Sequence, residues 1–226
     1  MSLNAFQDVP KLGRLSDYVF HWAKVDADGP AMALHGSGDR WTHVKFAADV
    51  NAHAKALIAA GVSLGDRVAI ISAPNPQFSI LFFAIISVGG IFVGLNPKYQ
   101  RGELKHIVTD AAPKLLIGYR EIDGRNYDDD LAALSAAVPS IAQTVMLDVA
   151  SLREAFLASG EKISDEQRTL RQTAVRCRDA CTIVYTSGST GAPKGAVLHH
   201  QGAVETALAQ LRSGMPRQLV ESLFGM

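Results

Sequence analysis

Phe46, Val50, Ala54, Leu57 and Ile58 recur at three- to four-residue spacing after His43, which predicts an amphipathic helix with Gly61 as its C-cap. Before it, AMAL (31–34) and RWT (40–42) flank HGSGD, the pattern of a hairpin with a five-residue loop. After it, GDR leads into VAIIS (68–72), which predicts a buried strand. A helix is expected from about Asn75 to Val88, then a strand over 91–95. In RGELKHIVTDA (101–111), Leu104, Ile107, Val108 and Ala111 share one helical face, and Pro113 ends the helix. KLLIG (114–118) and TVML (144–147) read as short strands. Between them, DDDLAALSAAV (128–138) opens with acids, as a helix N-terminus favours. Strands alternating with helices predict an α/β fold with a mostly parallel sheet layered with helices. No internal repeat interrupts the order.

The stretch from Arg67 to Lys98 has no charged residue between its ends, and 78–95 is apolar enough to be weighed as a membrane span. Pro74 and Pro76 break its front, and Gly89-Gly90 splits it. The five residues IFVGL that follow are β-rich. The pattern predicts helix, turn and buried strand, with no stable membrane span. The N-terminus, MSLNAFQDVPKLGRL, lacks the apolar core of a secretory signal. Residues 161–180 are dense in charge and poor in apolar pattern, and they are expected to form a solvated connector.

Composition narrows the class. Apolar residues make up 48% and charged residues 19% of the 226, a globular balance that excludes a largely disordered chain. Lys plus Arg and Asp plus Glu are each 22, so no broadly basic surface is available for nucleic acid. Two cysteines, Cys177 and Cys181, make no disulfide framework and fit a reducing compartment, so the expected location is cytoplasmic.

The stretch that carries chemistry is TIVYTSGSTGAPKG, Thr182 to Gly195. Ile183, Val184 and Tyr185 are β-formers. Thr186, Ser187, Ser189 and Thr190 then supply hydroxyls, Gly188 and Gly191 free the backbone, and Lys194 supplies a mobile positive charge. A concave set of such donors suits a polyphosphate. A Walker A loop needs Gly-Lys-Ser/Thr opening a helix. Here Lys194 lies between Pro193 and Gly195, and Ala196-Val197-Leu198 follow, so the loop is expected to run from strand to strand.

YTSGSTGAPKG resembles the phosphate-binding signature of the adenylate-forming (AMP-binding) superfamily, which holds acyl-CoA synthetases, peptide-synthetase adenylation domains and firefly-type luciferases. RWTHVKFAADVNAHAKALIAAGVSLGDRVAI resembles that family's opening run, in which a Thr begins a helix that ends in Gly before Gly-Asp-Arg-Val. IISVGGIFVGLNP resembles its second core motif, and GELKHIV the helix after it. Together these cover about residues 15–216. Asn96-Pro97-Lys98-Tyr99 and Gly214-Met215-Pro216-Arg217 look closer to fatty or aryl acyl-CoA ligases than to peptide-synthetase domains.

The resemblance implies a two-step ligase of fatty acid metabolism. A carboxylic acid attacks ATP to give acyl-AMP and pyrophosphate, and coenzyme A then takes the acyl group. It implies ATP, Mg²⁺ and CoA as cofactor and co-substrates, with phosphate contacts from Thr186, Ser187, Gly188, Ser189, Thr190, Gly191 and Lys194. Lys194 stabilises the charge that develops on the leaving pyrophosphate. Thr186 is the candidate Mg²⁺ contact, and His200 the residue expected to line the acyl side of the pocket.

Other family motifs have no counterpart here: the Tyr-Gly-x-Thr-Glu motif with its Mg²⁺ glutamate, the ribose aspartate, the hinge and the catalytic lysine of a small C-terminal domain. RQLVESLFGM at the end departs from the family pattern. Residues 1–226 are therefore expected to be a truncated AMP-binding N-terminal domain, inactive alone. A binding module for nucleotide or pyrophosphate without catalysis is the alternative, and a membrane-associated protein built around 78–95 a third. Cys177 and Cys181 are expected to be idle thiols, and Asp128, Asp129 and Asp130 a helix start in preference to a metal cluster. His21, His35, His43, His53 and His106 carry no assigned role.

Overall fold

The computed structural model describes residues 9–186 and 192–212. In chain order the helices are α1 (Asp17–Val25), α2 (His43–Ala59), α3 (Pro76–Ser87), α4 (Arg101–Ala111), α5 (Asp128–Ala137), α6 (Ala150–Ser159), α7 (Asp165–Ala174) and α8 (His200–Arg212). The strands are β1 (Pro30–Ala33), β2 (Arg40–Thr42), β3 (Arg67–Ile71), β4 (Ile91–Leu95), β5 (Leu115–Gly118), β6 (Glu121–Ile122), β7 (Arg125–Asn126), β8 (Gln143–Met146), β9 (Ala180–Thr186) and β10 (Lys194–His199). β1 and β2 form the expected antiparallel hairpin.

Among the described residues the central sheet has six strands in the order β10-β9-β4-β3-β5-β8. Every neighbouring pair is parallel except β9 with β10. Connectivity decides which helix covers which face. The chain steps from β3 to β4 in one direction and then back across β3 to β5. Right-handed crossovers must put α3 and α4 on opposite faces. The cores obey this. Val68 and Ile70 of β3 pack with Leu57, Leu81, Ile85 and Phe156, from α2, α3 and α6. Ala69 and Ile71 pack with Leu104, Ile107, Val108, Leu131 and Leu134, from α4 and α5. Covered on both sides, β3 reads in sequence as a continuous apolar run.

Local chemistry sets the helix starts. The Thr42 hydroxyl accepts from the Lys45 amide (3.3 Å) to cap α2, and the Asn75 side-chain oxygen accepts from the Phe78 amide (2.9 Å) to cap α3, with Pro76 in its first turn. Gly89, at φ +84°, then turns the chain into β4. The apolar stretch 78–95 is thus a helix packed on α2, a tight turn and a strand at the heart of the sheet. Among the described residues no helix is long and apolar enough to cross a membrane.

The expected connector over 161–180 is corrected by the structure. It contains α7, begun by a capping box in which Ser164 and Gln167 satisfy each other's amides. This helix is held by polar contacts in place of an apolar stripe. Arg168 donates to Asn51 (2.8 Å) and Gln172 (2.7 Å), and Gln172 donates to Ser87 (3.3 Å). Hydrophobic periodicity is therefore silent over it. Helices α1, α6 and α8 also go beyond what periodicity predicts.

Gly160 follows α6 and lies against α2. A Cβ there would stand 2.7 Å from the Ala56 amide nitrogen and 3.0 Å from the Lys55 carbonyl carbon. Backbone atoms cannot yield cheaply, so Gly160→Ala should cost about 1–3 kcal/mol, the usual penalty of overpacking. A thermal midpoint equal to that of the parent chain would show that α6 can slide away from α2.

Candidate phosphate-binding site

β9 is parallel to β4, so its Thr186 end lies at the edge where the carboxyl ends of β3 and β4 emerge. Open α/β sheets bind ligands along that edge. β9 and β10 pair antiparallel with Thr186 opposite Lys194, Tyr185 opposite Gly195 and Val184 opposite Ala196. The signature does run from strand to strand. Ser187, Gly188, Ser189, Thr190 and Gly191 lie outside the described residues. Thr186 and Lys194, which bracket them, are both exposed, and Lys194 makes no ion pair with a described residue. An exposed hydroxyl and an exposed ammonium paired across two strands form a donor set suited to an anion.

The inner side of β9 is anchored. The Thr182 hydroxyl donates to the Phe92 carbonyl of β4 (3.1 Å). Tyr185 is buried, and its hydroxyl donates to the Asp110 carboxylate of α4 (2.6 Å). Burial and the Asp110 carboxylate both raise the pKa of this phenol, so it stays protonated and remains a donor. One turn earlier on α4, His106 Nε2 lies 2.9 Å from the Pro193 carbonyl oxygen, next to Lys194. His106 and Asp110 were not legible as site residues, because nothing in sequence marks which strand the exposed face of α4 meets. Their four-residue spacing on a helix beside Leu104, Ile107 and Val108 was the available signal.

The other candidates resolve differently. His200 is the first residue of α8, completely buried, and neither ring nitrogen has a hydrogen-bond partner among the described residues. Burial, with Arg14 nearby, pushes its pKa down to about 4. His199 caps α8 from outside, its Nδ1 accepting from the Gly202 amide (3.0 Å). Cys177 is exposed and free; Cys181 is buried, and burial raises its thiol to about 11. Asp128, Asp129 and Asp130 open α5. Asp130 pairs with Arg101 and Arg125, and Asp128 with Arg120, so arginines neutralise two of the three acids. Among the described residues no group of three or more His, Cys, Asp or Glu could hold a metal ion. The donors present fit phosphate oxygens. Among the described residues, the exposed Thr186 hydroxyl could give one oxygen to a magnesium ion carried on such phosphates.

The family described as AMP-binding enzyme matches residues 19–221. The chain belongs to that family. It is 30% identical over 191 residues to the acyl-CoA ligase SID4 of Ajellomyces capsulatus, an alignment covering 80% of this chain and 32% of that protein. It is 31% identical over 169 residues to the long-chain-fatty-acid–CoA ligase FadD15 of Mycobacterium bovis, covering 73% of this chain and 28% of that one. The chain thus spans about a third of the length of these curated relatives. Its fold matches a solved fatty acyl CoA synthetase from Mycobacterium tuberculosis with a TM-score of 0.71 at 23% identity, over 90% of this chain and 38% of that one.

Proposed function

We propose that this member of the AMP-binding family carries the phosphate-binding part of an AMP-forming acyl-CoA ligase acting on a fatty or aryl carboxylic acid. The observation that carries the reading is the in-register pairing of Thr186 with Lys194 at the carboxyl edge of the sheet, around the TSGSTGAPKG signature. In the proposed first step a carboxylate oxygen attacks the α-phosphorus of ATP. The bond from that phosphorus to the β-bridging oxygen breaks, and pyrophosphate leaves with the electron pair. Negative charge grows on the departing group. Lys194 donates to it from a fixed strand, and the Thr186 hydroxyl adds a donor or one oxygen toward a phosphate-bound magnesium ion. Magnesium, when bound, neutralises phosphate charge. In the second step the thiol of CoA attacks the acyl carbonyl, AMP departs, and the thiol proton goes to solvent or base. The free thiols fit a reducing, cytoplasmic setting.

A second reading, binding of nucleotide or pyrophosphate without catalysis, needs only the exposed Thr186 and Lys194 pair. The 226-residue polypeptide should bind MgATP and pyrophosphate by isothermal titration, and Lys194→Ala should weaken both. ATP–pyrophosphate exchange with short, medium, long and aryl acids should stay at the level of the Lys194→Ala variant. Exchange above that level with any acid would make the polypeptide an enzyme by itself. Heat-silent titrations with both ligands would remove the phosphate reading.

A further inference from the structure

We propose that His106 and Asp110 of α4 are positioning residues that clamp the loop end of the β9–β10 hairpin and so hold Thr186 and Lys194 in register; the use of that register for phosphate rests on the reading above. The loop end needs outside support. Paired positions of β9 with β4 are Phe92 with Thr182 and Val93 with Ile183. The ladder pairs at Val184, Tyr185 and Thr186 lie beyond them, toward the loop. β10 is exposed along its whole length and, among the described residues, is an edge of the sheet. At this end, two strands alone would be marginal in water.

α4 supplies two ties, one to each strand. Asp110 accepts from the Tyr185 hydroxyl on β9 (2.6 Å), a charge-assisted bond. His106 meets the Pro193 carbonyl just before β10 (2.9 Å). The contact needs a proton on Nε2, and both the neutral Nε2–H tautomer and the imidazolium supply it. The helix is a firm base, because Leu104, Ile107 and Val108 root it in the core. Gly195 lies opposite Tyr185, and a Cβ there would stand 3.0 Å from Tyr185 Cζ and 2.8 Å from Ile183 Cγ2. The missing side chain lets the tyrosine ring lie across β10 while its hydroxyl reaches α4. A group held this way on rigid elements is pre-set for its ligand.

The test uses the 226-residue chain with His106→Phe, His106→Gln and Tyr185→Phe. The first reading is amide exchange at Thr186 and 194–196 without ligand, with β3 and β5 amides as internal reference. His106→Phe and Tyr185→Phe should speed exchange at the hairpin about fivefold, the loss of one hydrogen bond, and leave the reference amides unchanged. His106→Gln should restore the parent rate, because its amide can replace the Nε2 donor. The second reading is affinity for pyrophosphate, which should fall roughly three- to tenfold in His106→Phe and Tyr185→Phe and recover in His106→Gln. Unchanged exchange at the hairpin, or equal acceleration at hairpin and reference amides, overturns the clamp. A parent chain that binds no pyrophosphate overturns the phosphate reading, while the exchange result still decides the clamp.

Discussion

Lys194→Ala, placed in a full-length ligase carrying this loop, should slow acyl-AMP formation about a hundred- to thousandfold, the usual loss when one preorganised donor to developing charge is removed (about 2.7–4 kcal/mol). Affinity for the acid should change little, since the role proposed for the ammonium is on the leaving group and not on the carboxylate. The reason is differential. In the ground state the phosphate charge is shared with solvent and magnesium, so one lysine more or less matters modestly. As the bond to the α-phosphorus breaks, charge gathers on pyrophosphate, and a cation already in place stabilises it without reorganisation. Lys194 is suited to this by its setting. It is the first residue of β10, opposite Thr186, and its side chain is exposed. ATP–pyrophosphate exchange across acid concentrations separates the two quantities. A raised KM for acid with an unchanged maximal rate would take Lys194 out of the first step.

Acid should destabilise the fold through His200 well above the pH at which carboxylates protonate. Its ring is wholly buried, both nitrogens lack partners among the described residues, and its pKa falls from 6.5 to about 4. The Arg14 charge opposes protonation, while Asp17, Asp179 and the Ile86 backbone, which lies near without a hydrogen bond to the ring, favour it too weakly to compensate. The folded value is below the unfolded one, so the unfolded chain takes up the proton first. The stability held by the neutral ring is complete above about pH 6.5 and is lost as pH falls through about 4. Between pH 7 and pH 4 the loss should be about 3 kcal/mol, an order-of-magnitude figure from linkage. His53 acts in the same direction. It is buried, its Nδ1 meets the Asp49 carbonyl (2.8 Å), and its pKa is lowered chiefly by burial. Urea unfolding of the parent chain and His200→Phe at pH 7, 5.5 and 4 isolates the His200 share. Parallel pH dependences would show that the ring is protonated without cost.

What could be read from residue order follows from interactions short in sequence. The helix after Thr42, the run 78–95 and the helix over 101–111 were legible, because caps and apolar spacing are local. β3 was legible for the opposite reason: covered on both faces, it has no polar face to interrupt its apolar run. The loop signature was legible because its donors are consecutive. α7 was not, since its anchors are polar side chains reaching Asn51 and Ser87, and such partners leave no periodic trace.

The sequence by itself determined that this is an α/β chain of the adenylate-forming kind, with Thr186 and Lys194 bracketing a loop rich in hydroxyls and glycine. Only the tertiary structure decided what stands behind that loop. Tyr185 and Asp110 are 75 residues apart, and His106 and Pro193 are 87 apart. They meet because β9 inserts beside β4 while the crossover from β4 to β5 lays α4 on the Tyr185 face of the sheet. The same assembly closes over His200, which nothing in sequence separates from an exposed histidine at a helix start. Strand order and crossover handedness set both outcomes, and neither is written in the spacing of nearby residues.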